Sequence, residues 1–194
     1  MPDVNSALMS TRERLSEHAA RLFAEHGYHG TSIGDIASAL GIQKSSVYAH
    51  IEGKEYLLVE LALAGAEAFH GALDDLPPTD DPVTRLKLAF GAHLGVVARQ
   101  LDVSTVWLLE WRYLSGAARD QFLSERHRYE QRVAALFQEA VASGELRADL
   151  DVEHATLAFF SLGNWAYTWL SPRSDVEQLA GAFWELLYSG IAPR

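Results

Sequence analysis

The chain has 194 residues, 48% of them apolar and 22% charged, with a formal net charge of -10 and no cysteine. This composition supplies a packed core and removes disulfides, thiolate metal sites and cysteine nucleophiles together. Apolar runs stay short of a membrane span, and the start lacks the basic-then-apolar pattern of a secretory signal, so a cytoplasmic protein is expected.

Apolar residues recur at three- and four-residue spacing almost throughout, so an all-α fold of about nine helices is expected. The first runs from about Thr11, with Leu15, Ala19, Leu22 and Phe23 as its apolar stripe and Gly27 as its stop. Thr31-Ser32 is a candidate N-cap with Asp35 just behind it, and Ile33, Ile36, Ala37 and Leu40 form the next apolar face, ended by Gly41. A third short helix is expected from Gln43 to His50 and a long one from Lys54 towards Asp75. The prolines of Leu76-Pro77-Pro78-Thr79-Asp80-Asp81-Pro82 break the chain. Beyond them the pattern predicts helices at about 82–100, 103–115, 117–143, 151–170 and 174–190. Two domains follow, residues 1–55 and residues 56–194.

The informative stretch is Thr31 to His50. Two short amphipathic helices meet at Gly41, where a tight turn needs a residue that tolerates positive φ. Ala37 allows a close crossing, and Ile42 and Val47 anchor the latter helix on Ile33, Ile36 and Leu40. Gln43, Lys44, Ser46, Ala49 and His50 are left facing out, as in the second helix of a helix-turn-helix, whose N-terminal end enters the major groove. On spacing alone, a tight helical corner with no DNA remains the alternative. Charge is suggestive: two of the three lysines, Lys44 and Lys54, bracket one short stretch from the third helix to the start of the fourth, and most of the acidity lies beyond residue 55.

From Arg12 to Leu58 the chain resembles the N-terminal domain of tetracycline-repressor (TetR) family regulators. The matching pieces are Ala20-Arg-Leu-Phe23, Gly27-Tyr28, Thr31-Ser-Ile33, Asp35-Ile-Ala37, Leu40-Gly-Ile42, Lys44-Ser-Ser-Val-Tyr48, His50 and Lys54-Glu55-Tyr-Leu57. The resemblance implies a repressor that holds a double-stranded operator as a homodimer and is released by a small molecule. It also implies that Tyr48 and Lys54 hold phosphates, supported by Thr31 and His50. Gln43, Lys44 and Ser46 would then lie nearest the bases, with Ser45 in the same DNA-facing set.

In the second segment, Trp107/Trp111 and Trp165/Trp169 are each i, i+4 pairs, which suit either core packing or the lining of an apolar ligand cavity. Arg112 adjoins the first pair, and Arg128 and Arg132 share a helix face, solvated or holding an anion. Arg128-Tyr129, Gly144-Glu-Leu146 and Gly163-Asn-Trp-Ala-Tyr-Thr-Trp169 with Pro172 resemble a branch of the family that responds to acyl-CoA thioesters. The candidate ligand set is therefore Trp107, Trp111, Arg112, Arg128, Asn164, Trp165, Thr168 and Trp169, with an apolar acid or its CoA thioester as effector. The last two helices carry Leu157, Phe159, Phe160, Leu162, Phe183, Leu186, Leu187 and Tyr188, material for a four-helix seam between two chains.

An enzyme is the main rival class. No Gly-rich phosphate loop, nucleophile elbow or His-Glu-x-x-His motif is present. His127 and Glu130 stand i, i+3 without a second such pair, so neither catalytic residues, a metal nor a cofactor is expected. The other rival is a helical protein-interaction or small-molecule-binding module that never meets DNA.

Overall fold

The structure, a computed structural model, describes residues 10–170 and 174–193. Within them lie nine α-helices and no strand: α1 (Thr11–His26), α2 (Ile33–Leu40), α3 (Lys44–Val47), α4 (Lys54–Asp74), α5 (Pro82–Arg99), α6 (Leu101–Leu109), α7 (Gly116–Ala142), α8 (Val152–Asn164) and α9 (Val176–Ile191). The all-α expectation is met, and three of the expected helices are shorter than their apolar pattern suggested. The third is a single turn, because Ser46, Ala49 and His50 each donate to the carbonyl three residues back. Serines, a β-branched valine and a histidine are weak helix formers, so the tighter turn wins. The sixth and eighth helices pass into 3-10 turns at Glu110–Tyr113 and Trp165–Thr168.

The chain packs as two compact units. Met1–Ala66 groups with Asp102–Phe122, and Glu67–Leu101 with Leu123–Arg194. Packing therefore groups more of the chain with the helix-turn-helix than the segment up to residue 55.

In the first unit, α1 opens on a reciprocal capping box. Ser10 Oγ accepts the Glu13 N–H, and the Glu13 carboxylate accepts the Ser10 N–H. Leu15, Ala19, Ala20 and Phe23 face inward, and the helix stops at Gly27, with φ at 75°. Ser32, with Asp35, forms a second capping box that starts α2. Gly41 closes that helix in the left-handed region at φ 69°, ψ 28°, the conformation the corner requires. Ile33, Ile36 and Leu40 are buried, and Val47 and Ile51 complete the core from the α3 side.

The loop between α1 and α2 is tied from both sides. The Thr31 hydroxyl lies 3.0 Å from the Leu22 carbonyl and 3.1 Å from that of Gly27. Lys54 Nζ donates to the Tyr28 and Thr31 carbonyls at 2.7 and 2.8 Å and sits 4.0 Å from the Tyr28 ring centroid. Glu110 Oε2 accepts the Tyr28 N–H at 2.7 Å. Ser115 Oγ donates to Glu55 at 2.8 Å, and Trp111 stacks on Phe122. Within this unit the 3-10 turn after α6 is thus fastened to the loop that leads into α2.

In the second unit, α5 packs against both α8 and α9. Its Phe90 and His93 meet Phe159 edge to face, while Phe69 stacks on His93. One described helix, Lys54–Asp74, is apolar and long enough to cross a membrane, with a mean hydropathy of 1.3. Leu57, Leu58, Leu61, Ala62, Ala66 and Phe69 on it are buried in protein, which is the pattern of a core helix.

Candidate functional site

Val47 is the fulcrum of the helix-turn-helix. Its side chain is fully buried, and the residues around it are turned to solvent: Gln43, Lys44, Ser45 and Ser46 before it, Tyr48 and His50 after it. Tyr48 is 52% exposed, an unusual position for a large aromatic. Six of the eight residues expected to face DNA therefore form one outward display of an ammonium group, hydroxyls, an amide and an imidazole.

The other two are placed differently. Thr31 is 2% exposed, and its hydroxyl is committed to the backbone of the loop. Lys54 is half-buried; desolvation moves its pKa below the usual lysine value, and two of its three N–H bonds serve the carbonyls of Tyr28 and Thr31. Both fix the entry to α2, and so the pose of the turn and of α3.

The second unit holds a cavity of about 780 Å³ between α7 and α8. Arg126, Gln131 and Gln138 enter from α7; Phe160, Asn164 and Trp165 come from α8 and its 3-10 extension. The cavity is an open groove large enough for a drug-sized ligand; its apolar floor includes Phe160, and its many polar and charged lining groups include Glu130 and Glu153 as well as Arg126. Asn164 and Trp165, both expected, belong to it.

The rest of the expected ligand set is dispersed. Trp107 and Trp111 belong to the first unit, where Trp107 is buried against Gly65 and Phe122, and Trp111 stacks on Phe122. Arg112 is exposed, with its Nε donating to the Leu109 carbonyl. Arg128 is 61% exposed and pairs with Glu125 at 2.5 Å. Thr168 bonds back to the Trp165 carbonyl, and Trp169 tilts against Phe183. Sequence reasoning missed Gln131, Ala134 and Gln138. Their three- and four-residue spacing from His127 on α7 is the signal that could have found them.

The expected seam between chains also divides. Phe159, Phe160 and Leu187 face inward, whereas Leu157 and Leu186 are 56% and 69% exposed; Trp165, expected in the ligand set, is 64% exposed beside them. These three lie on α8, its 3-10 extension and α9, an exposed apolar set of the kind that marks an interface.

Beneath the cavity, His93 is wholly enclosed, and burial pulls its pKa down to about 4 from the ordinary 6.5. In the unfolded chain the imidazole takes up a proton below pH 6.5, which the folded core refuses until about pH 4. Stability supplied by neutral His93 is complete above pH 6.5 and is lost as pH falls towards 4. The melting temperature is expected to drop between pH 7 and pH 5, with a shallower drop in His93→Phe. Differential scanning fluorimetry across that range measures both slopes.

A three-helix corner that buries its anchor and turns a donor-rich helix outward defines a DNA-binding regulator. Residues 15–61 match the model of the family described as bacterial regulatory proteins, tetR family, and residues 79–191 match that of the tetracyclin repressor-like C-terminal domain. The chain belongs to the TetR family of transcriptional regulators, which are not enzymes. It is similar to the HTH-type transcriptional repressor KstR2 of Mycolicibacterium smegmatis, 27% identical over 98% of this chain and 95% of that one. The TetR family regulator PfmR of Thermus thermophilus superposes with a TM-score of 0.82 at 31% identity, covering 90% of this chain and 96% of that one. AibR, solved with isovaleryl coenzyme A and operator DNA, superposes with a TM-score of 0.82 at 27% identity, covering 92% of this chain and 98% of that one.

Proposed function

We propose that the chain is a ligand-released repressor, working as a homodimer in the cytoplasm on a pseudo-palindromic operator. Residues 1–55 would hold the DNA, and residues 56–194 would bind the effector and form the dimer. The observation that carries this reading is the outward display of Gln43 to His50 around buried Val47. Tyr48 and His50 are suited to phosphates, with Gln43, Lys44 and Ser46 nearest the base edges; Lys54 and Thr31 hold the corner that aims them. Leu186 supplies exposed apolar surface for a two-fold seam, while Leu157 and Trp165 line the groove assigned to the effector.

The effector site is the cavity between α7 and α8. An apolar acid or its CoA thioester suits the apolar part of its lining, and AibR, of similar fold, has been solved in complex with isovaleryl coenzyme A and operator DNA. Such a ligand acts by binding the DNA-incompetent arrangement of the dimer more tightly than the competent one. Operator-bound protein titrated with acyl-CoAs of increasing chain length is expected to release DNA as effector is added. No release at any length would exclude this effector class.

A further inference from the structure

His93 Nε2 and Asn164 Oδ1 are buried, and neither meets a well-formed hydrogen-bond partner. They belong together. A Cβ on Gly163 would stand 2.5 Å from His93 Cδ2 and 2.8 Å from Nε2, so the backbone next to Asn164 runs against that edge of the imidazole. The Asn164 carboxamide is also the group that counters the effect of burial on the ring.

On its other side, His93 Nδ1 lies 3.0 Å from Tyr129 Oη. Tyr129 is 1% exposed, and burial raises its pKa, so it remains a neutral phenol with one proton to donate. Donating into Nδ1 leaves the ring proton on Nε2, directed towards Asn164 Oδ1. The amide oxygen is then held inward, and the NH2, with two donors, turns to the cavity that Asn164 lines. A donor at that point calls for an acceptor on the ligand.

We propose that Tyr129, His93 and Asn164 form an orienting chain that presents the Asn164 NH2 to a carbonyl or carboxylate oxygen of the effector. Asn164 is the specificity residue, His93 and Tyr129 are positioning residues, and Gly163 is the residue whose lack of a side chain admits the imidazole. The inference rests on the cavity being the effector site and adds which ligand atom is read and by what.

Calorimetric titration of the full chain with octanoate, octanoyl-CoA and octylamine tests it without any operator. Asn164→Leu is expected to raise Kd about tenfold for the two acyl ligands, the worth of one hydrogen bond, and to leave octylamine unchanged. Asn164→Asp at pH 8 is expected to weaken octanoate further and to strengthen octylamine, an inversion that a purely structural role would not produce. His93→Phe frees the carboxamide to turn and is expected to weaken both acyl ligands several-fold. Thermal unfolding of each variant confirms folding, and Asn164→Ser replaces Asn164→Leu should that variant fail to fold. If wild type binds the acyl ligands and Asn164→Leu binds them equally, or all three ligands weaken by one factor, the orienting chain is wrong and the cavity stands. If wild type binds neither acyl ligand, both fall.

Discussion

Tyr48→Ala is expected to weaken operator binding by about a hundredfold or more and to leave the melting temperature nearly unchanged. Hydrogen bonds to charged groups contribute about 1.5–3 kcal/mol each, and a two-fold dimer loses one at each half-site. The ring is 52% exposed, so its removal costs the fold little. Tyr48→Phe separates the two properties of the side chain. Should the hydroxyl hold a phosphate, phenylalanine behaves like alanine; should the ring pack on sugar, phenylalanine behaves like wild type. Fluorescence anisotropy with labelled operator at fixed salt measures the loss, and equal affinity for the alanine variant would remove Tyr48 from the interface. The salt dependence follows the number of phosphates that the local cations neutralise, while the general repulsion from the overall charge of -10 is itself screened by added salt.

Gly30→Ala is expected to cost about 2–4 kcal/mol and to lower the melting temperature by roughly 5–15 °C. An added Cβ would stand 2.2 Å from the carbonyl oxygen of His26. That oxygen is backbone at the end of α1, so relief requires the helix end or the loop to shift. The same loop carries Tyr28 and Thr31, whose carbonyls receive Lys54 and whose neighbours set the start of α2. The variant should therefore bind DNA more weakly than its residual stability alone would allow. Gly71→Ala provides the control: nothing lies within 4 Å of its Cβ position, and alanine favours the α4 helix, so a slight gain in stability is expected. Thermal unfolding of the pair decides the matter, and similar melting temperatures would refute the clash at residue 30.

The helix-turn-helix was legible because its determinants are local. Ser32 with Asp35, Gly41, and the alternation of buried Val47 with exposed neighbours all act within a few residues, and each does in the fold what its chemistry dictates. The second unit was harder to read. The pairs Trp107/Trp111 and Trp165/Trp169 share a face only on an unbroken α-helix, and in both cases a 3-10 turn intervenes. Trp111 consequently stacks on Phe122, and Trp165 and Trp169 take different neighbours. His93 and Tyr129 stand 36 residues apart and carry no spacing signal. Only tertiary packing of α5 on α8 brings the imidazole against Gly163 and makes Asn164 a directed group rather than one more polar residue. Arg128, attractive in sequence as an anion ligand, finds Glu125 one helical turn away and pairs with it in solvent.

The most direct test of the regulator's reading helix is a footprint on genomic fragments selected by the full-length protein. An outward-facing α3 on each of two chains should protect an inverted repeat, with half-site centres one or more helical turns apart, and Lys44→Ala with Tyr48→Ala should abolish the protection. Selection of no fragment over a random pool, or protection that survives the double substitution, would contradict DNA reading by the residues after Gly41.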